Sequence, residues 1–414
     1  MIFSILILLI VAGITYFHFL QGGFTSAISA GCAALATLVA FGYYEQIVVS
    51  LQPGAMVDQA QAMVLIGLYG VTYIILRVIF DAVVPGNIRL PLWVDRGCAV
   101  AFGLIAALMA GGVFAVGGQL LPFGPSAAFA RYELREREVT LPRAAAGSAA
   151  RSDLDSQIRS ELVPDTLEPA KRSSMLLPAD DLVLSLVSTA SEGAFQGNIK
   201  FTEMHPDLGT EAFANRVGAD SGVRRVVING AKDAQVAIPD SGLSIINPFP
   251  TLIDSEIREL RPDSKSLTFP KDNSKKLLAI RALFRDTAAD TDGYVRIPPA
   301  AARLVIEGKT FYPIGTMEST GQVALARLDD FVVIAKDDKR GADFVYAVDS
   351  AILDRVSIGG KFKAGAAFVE FKLLGRIRLD GMTVNNSWSA SDKTGVMRKK
   401  GSPLITPPGA KTEK

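Results

Sequence analysis

The amino-acid sequence predicts two materials in one chain. The first is a membrane all-α four-helix bundle at the N-terminus. The second is an α+β soluble domain whose C-terminal part is β-sandwich-like. Three observations carry this prediction. Gly97 to Ala130 contains no charged side chain, an interval longer than the ~20 apolar residues that cross a bilayer. Of the 43 basic and 42 acidic residues in the chain, residues 1–126 hold only Arg77, Arg89, Arg96, Glu45, Asp58, Asp81 and Asp95. Beyond residue 220 the pattern changes to short runs of β-branched and aromatic residues divided by Gly, Pro and Asp, a rhythm of antiparallel strands.

The expected divisions are 1–123 for four spans, 124–178 for a flexible linker, 179–388 for the soluble domain and 389–414 for a disordered tail. The spans are read at about 1–20, 25–49, 59–79 and 93–121. Met1 to Leu20 is apolar apart from Ser4, Thr15 and His18. It lacks the charged n-region of a cleaved signal peptide, so a retained span is expected. A lipoprotein reading of Ser29-Ala30-Gly31-Cys32 lacks the usual branched or leucyl residue three before the cysteine.

Gln21-Gly22-Gly23-Phe24 breaks the first run, and Thr25–Val49 supplies the second span. Glu45 through Asp58, with Pro53-Gly54, reads as a polar loop. The third span, Gln59–Ile79, has Arg77 and Asp81 at its exit. Trp93 then sits where an interfacial aromatic belongs. In the fourth span Gly103, Ala107, Gly111 and Ala115 recur every four residues, stacking small side chains along one helix face. Such a stripe lets a second helix approach closely in lipid. With Gly22 and Gly23, these are the candidate helix-packing positions. A homo-oligomer formed through the stripe is one partner the pattern offers, beside the lipid bilayer itself.

Four spans put both ends of the bundle on one side. The loop between the third and fourth spans carries Arg89 and Arg96, so the positive-inside rule makes that side cytoplasmic. The termini and the soluble domain are then extracytoplasmic, in a bacterial inner membrane. Arg131, Arg135, Arg137 and Arg143 oppose this bias, although Glu133, Glu136 and Glu138 are interleaved with them.

The linker combines Gly124-Pro125-Ser126, an alternating-charge patch, an Ala/Gly/Ser run at 144–150 and then Pro164, Pro169 and Pro178, with a short helix read at Asp153–Leu162. From Asp180 helical spacing returns through Leu182, Val183, Leu186, Val187 and Ala190, with Asp180 and Asp181 suited to the amino-terminal cap. A second helix is read at Leu208–Val217. Strands are read at Val223–Ile228, Leu277–Phe284, Gly293–Ile297, Arg303–Ile306, Val323–Ala326, Phe331–Ala335, Phe344–Val348 and Ala366–Leu373.

A net charge of +1 argues against a nucleic-acid partner, which would show a concentrated basic field. Cys32 and Cys98 both fall in apolar spans, so the soluble part has no disulfide. Histidine occurs twice, at His18 and His205, too sparse for a zinc site. His18 near Ser26 and Ser29 raises an intramembrane hydrolase, but no serine lies in a Gly-x-Ser-x-Gly turn. Asp286, Asp290 and Asp292-Gly293 suggest a calcium loop that lacks its twelfth-position carboxylate, since Pro299 stands there. No glycine pair is followed by the Lys-Ser/Thr of a phosphate loop. No cofactor, metal or catalytic residue is therefore assigned. Arg77, Asp81, Asp95 and Arg96 are the polar candidates of the bundle, because charge close to lipid is functional by default.

The first 125 or so residues resemble the colicin V production (CvpA) family of four-span bacterial membrane proteins. The resemblance rests on the Gly22-Gly23-Phe24 turn, Arg77 near the end of the third span, the Asp95-Arg96 pair opening the fourth, and Gly103 and Gly111 within it. It departs from the family at Gln21, where basic residues are usual. It implies a non-enzymatic protein linked with colicin V production, a toxin-export process, or with envelope homeostasis. Leu277–Phe284, Asp292-Gly293-Tyr294 and Phe311-Tyr312-Pro313-Ile314-Gly315 resemble extracytoplasmic Ig-like modules, which implies an envelope protein or cell-wall partner. An oligomeric transporter, with the four charged residues lining a passage, is the alternative.

Overall fold

The computed structural model describes residues 2–51, 57–84, 91–121, 131–142, 158–164, 170–193, 200–217, 236–237, 243–246, 258–259, 275–284, 293–317, 323–325, 332–335, 342–358, 361–363, 365, 367–371 and 375–379. Four long apolar helices open the chain: α1 (Ile2–Gln21), α2 (Gly23–Leu51), α3 (Val57–Val83) and α4 (Leu92–Leu120). Each is long and apolar enough to cross a bilayer, and together they fit a multi-pass membrane protein. Large apolar side chains such as Leu9, Val71, Ile74 and Val78 lie on exposed faces of α1 and α3. Small and hydroxyl residues turn inward: Ala33, Ala36 and Thr37 of α2 and Ala99, Ala107 and Ala115 of α4 are fully buried. This inversion of the water-soluble pattern suits a surrounding solvent that is itself apolar.

After the bundle come β1 (Tyr132–Leu134), β2 (Glu136–Pro142), β3 (Ile158–Pro164) and β4 (Ala170–Arg172), forming the antiparallel ladder β2–β3 and the pair β1–β4. β3 lies in the stretch read as a helix at Asp153–Leu162. Its Ile158-Arg159-Ser160 backbone pairs with β2 instead. Three helices follow: α5 (Ala179–Glu192), α6 (Phe201–Met204) and α7 (Leu208–Val217).

The chain divides into two compact units. One comprises Met1–Glu133 with Arg172–Arg216; the other comprises Leu134–Lys171 with Val217–Lys414. Residues 172–216 thus group with the four helices.

The second unit is built on strands: β5 (Val236–Ala237), β6 (Leu243–Ile246), β7 (Arg258–Glu259), β8 (Lys275–Phe284), β9 (Tyr294–Ile297), β10 (Ala302–Ile306), β11 (Lys309–Phe311), β12 (Pro313–Met317), β13 (Val323–Leu325), β14 (Val332–Ala335), β15 (Ala342–Asp349), β16 (Ser357–Ile358), β17 (Lys361–Phe362), β18 (Ala367–Phe371) and β19 (Gly375–Arg378). A helix, α8 (Ser350–Val356), follows β15. One sheet runs β5-β8-β15-β12-β13-β7, with β6 also on β8, and a second runs β11-β10-β18-β19. Alternate residues meet in one core: Leu278 and Ile280, Phe344 and Tyr346, Leu304 and Ile306, Val369 and Phe371. Residues two apart on a strand share one face, and here that face is the common core, while the alternate positions of β10 are buried on the other side. Across β10 and β18 the cross-strand pair Arg303–Glu370 is buried at 2.8 Å, and Arg376 reaches the same carboxylate at 2.5 Å. The expected strand at Val223–Ile228 lies outside the described residues.

Candidate functional site: helix-end clasp and buried ion pairs of the bundle unit

The four candidate charges occupy one end of the bundle, each with a local partner. Asp95 and Arg96 stand in the first turn of α4, beside the turn joining α1 to α2. The Asp95 carboxylate accepts a 2.8 Å bond from the Gly23 N–H, the first amide of α2. Arg96 donates to the Phe19 carbonyl in the last turn of α1 and lies 4.8 Å from the Phe19 ring centroid. An anion therefore meets a helix N-terminus and a cation meets a helix C-terminus, the arrangement favoured by both macrodipoles. Gly22 has φ +98°, and a Cβ on Gly23 would stand 2.7 Å from the Cys98 Cβ and 2.9 Å from the Asp95 carbonyl. The glycine pair is thus explained by handedness at one position and by close approach at the next. Asp95→Ala is expected to destabilise the bundle by about 1–2 kcal/mol, read as a lower midpoint in SDS unfolding; an unchanged midpoint would show that the clasp is idle.

Arg77 pairs with Asp81 at 3.0 Å, one turn on along α3. It also donates to the Thr25 carbonyl and the Ser29 hydroxyl of α2, at 3.3 and 3.2 Å. The candidate residues therefore act on helix ends and helix contacts.

The small-residue stripe is likewise occupied within the chain. A Cβ on Gly103 would lie 2.6 Å from the His18 Cβ, and one on Gly111 would lie 2.7 Å from Val11 Cγ2. Ala107 and Ala115 share a core with Phe3, Ile7 and Val11 of α1. The partner of the stripe is α1 of the same chain. His18 is buried there, and the Ser26 hydroxyl donates to the His18 and Gly22 carbonyls at 3.2 and 2.8 Å. The Ser29 hydroxyl donates to the Thr25 carbonyl at 3.0 Å. Neither serine is aligned on the imidazole as a nucleophile on its base would be.

At the other end of the bundle lies an arrangement that sequence reading missed. Glu45, read as the start of a loop, stands on α2, which continues to Leu51. His205 sits between two carboxylates, with Nε2 2.7 Å from Glu45 and Nδ1 2.7 Å from Glu211. His205 and Glu211 are fully enclosed. Burial alone would disfavour the charged ring, but Glu45 and Glu211 outweigh it and raise the His205 pKa from 6.5 to about 9. The ring is an imidazolium donating from both nitrogens. Phe201 packs against it and meets Phe41 of α2 edge-on at 5.9 Å.

A second buried group adjoins the C-terminal end of α4. Asp180 accepts from Gln119 at 3.0 Å and from Arg131 at 3.2 Å, while Arg131 also binds Asp181 at 3.0 Å and Arg172 pairs with Asp181. Asp180 and Asp181 were expected to cap α5. Pro178 takes the N-cap position with no side-chain bond, and the two aspartates complement the helix dipole from its first turn while binding Arg131. Arg131, one of the four arginines that follow the fourth span, is buried in this group.

Between α5 and α7 a cleft of 430 Å³ opens, lined by Tyr132, Arg172, Asp181, Ser185, His205 and Asp207 among others. Burial, with the nearby Asp207 charge, raises the Tyr132 pKa to about 12, keeping it neutral. The cleft mixes both charge signs, and the ring nitrogens of His205 are both engaged by carboxylates.

The His205 shift sets a pH dependence. A raised histidine pKa gives stability that is complete below the unfolded value of 6.5 and lost as pH rises through about 9. Residues 172–216 should therefore become protease-sensitive in mildly alkaline buffer, and His205→Gln should flatten that dependence. A profile flat to pH 10 in the unaltered protein would contradict the assignment.

Of the calcium-loop candidates, Asp286, Asp290 and Asp292 lie outside the described residues. Gly293 is at φ +80°, as a turn glycine would be. Among the described residues no group of three or more His, Cys, Asp or Glu could hold a metal ion. No protein-family model, no curated protein and no solved structure matches this chain.

Proposed function

We propose that this chain is a non-enzymatic, CvpA-like integral protein of a bacterial inner membrane. In this reading it is linked by resemblance to colicin V production or envelope homeostasis. The bundle anchors an extracytoplasmic binding or sensing module whose partner is an envelope protein or the cell wall. The observation that carries the reading is how the bundle's charges are used. Asp95 and Arg96 bind the ends of α2 and α1, and Arg77 binds α3 and α2. They serve architecture, which suits an anchor better than a passage lined with charge. A sandwich-like form for the strand-rich module is supported by the common core of β8, β15, β10 and β18.

Orientation is tested with a single cysteine at Glu133, an exposed position, in a chain whose Cys32 and Cys98 are replaced by alanine. An impermeant maleimide should label it in intact spheroplasts. Labelling only after lysis would reverse the orientation, and release of the chain by carbonate washing would remove the membrane reading.

A further inference from the structure

Residues 175–182 pack beside the spans as well as beyond their ends. Met175, Leu177 and Ala179 share a core with Phe3, Ile7 and Val11 of α1 and with Ala107 and Ala115 of α4. A Cβ on Gly112 would lie 2.3 Å from the Ala179 carbonyl oxygen and 2.3 Å from Val183 Cγ2. Gly118, six residues further along α4, faces Phe3 at the start of α1. At 1.5 Å per residue, the opening of α5 therefore lies roughly 9 Å inside the outer end of the first span.

The exposed side chains of this stretch follow a gradient. Leu176 is 66% exposed and Leu182 is 40% exposed. Along the same face of α5 come Ser185, Thr189 and Glu192, all exposed, spaced as one helix face. The apolar end of the gradient adjoins α1, whose own exposed residues include Ile5, Leu6 and Leu9. Leu176 stands between Met175 and Leu177, which pack on α1, and Leu182 lies three residues beyond Ala179 of the same core; exposed leucines so placed beside a span suit an apolar medium.

We propose that Met175–Leu182 dips into the bilayer interface, with Leu176 and Leu182 against acyl chains and α5 rising towards water along its length. The occupant of this surface is the lipid bilayer. A depth of roughly 9 Å falls in the 5–10 Å range of interfacial amphipathic segments. The proposal rests on the reading of α1–α4 as membrane spans.

The test uses the full chain in liposomes with Trp93 and Trp388 replaced by phenylalanine and one tryptophan introduced at a time. Leu176→Trp and Leu182→Trp should lose most of their emission to lipids brominated near the headgroup, and Thr189→Trp should be quenched by aqueous iodide instead. Val71→Trp, midway along an exposed face of α3, reports with lipids brominated deep in the acyl chains whether the spans are embedded. Val71→Trp quenched by brominated lipid, with both leucine sites quenched only by iodide, would overturn this proposal alone. Val71→Trp unquenched by brominated lipid would overturn both readings. Should Leu176→Trp fail to fold, Leu182→Trp against Thr189→Trp gives the same decision.

Discussion

Replacing His205 with alanine is expected to detach residues 172–216 from the helices, at about 3–5 kcal/mol, because it strands buried charge. The Glu211 carboxylate is fully enclosed and Glu45 mostly so, and both approach the ring at 2.7 Å. Without the imidazolium, two anions face each other in a poorly solvated space. The expected signature is proteolysis within 172–216 at neutral pH, with α1–α4 still folded. The matching control removes the charge entirely: His205→Leu with Glu45→Gln and Glu211→Leu should recover much of the loss, since apolar replacement of a buried ion group is often neutral. Equal protease resistance of His205→Ala and the unaltered chain would mean that these ion pairs hold nothing in place.

The second large effect belongs to Gly112. An added Cβ there meets the backbone carbonyl of Ala179 and the Val183 side chain, both at 2.3 Å. Backbone cannot yield as the tip of a flexible side chain can, so Gly112→Leu should expel the start of α5 from α4. The cost is set at about 1–3 kcal/mol or more for overpacking. Gly70 on α3 is the comparison, with nothing within 4 Å of its added Cβ. Gly70→Leu should leave stability almost unchanged in detergent, and equal midpoints for the two variants would count against this packing.

The four helices are legible because each is an apolar run long enough to cross a bilayer. The stripe at Gly103, Ala107, Gly111 and Ala115 announced a close helix contact but not its partner. Spacing identifies a face, whereas the choice of α1 depends on Val11 and His18 fitting the notches. The Gly22-Gly23 turn and the Asp95-Arg96 pair were each visible, yet their connection was not, since Asp95 binds Gly23 across two intervening helices. The grouping of Glu45 with His205 and Glu211 is hidden for the same reason. An acid upstream of Pro53-Gly54 reads as loop when its partners, His205 and beyond it Glu211, lie far along the chain. The one available hint was that Glu45 is the only charged residue in Gly23–Leu51. Among the strands, β15 is readable from its aromatic and β-branched run Phe344-Val345-Tyr346, and β8 from its apolar stretch Leu277–Phe284. β12, with Pro313 and Gly315, carries no such signal and is held by its neighbours β13 and β15.

Residues 172–216 fold as part of the helical unit, fastened by His205 and Asp180. Hydrogen exchange at pH 7 in lipid nanodiscs addresses it most directly. The amides of α5 and α7 should exchange as slowly as those in the C-terminal halves of α2 and α4, and His205→Ala should accelerate α5 and α7 alone. Fast exchange in α5 and α7 of the unaltered chain, indifferent to that substitution, would contradict it.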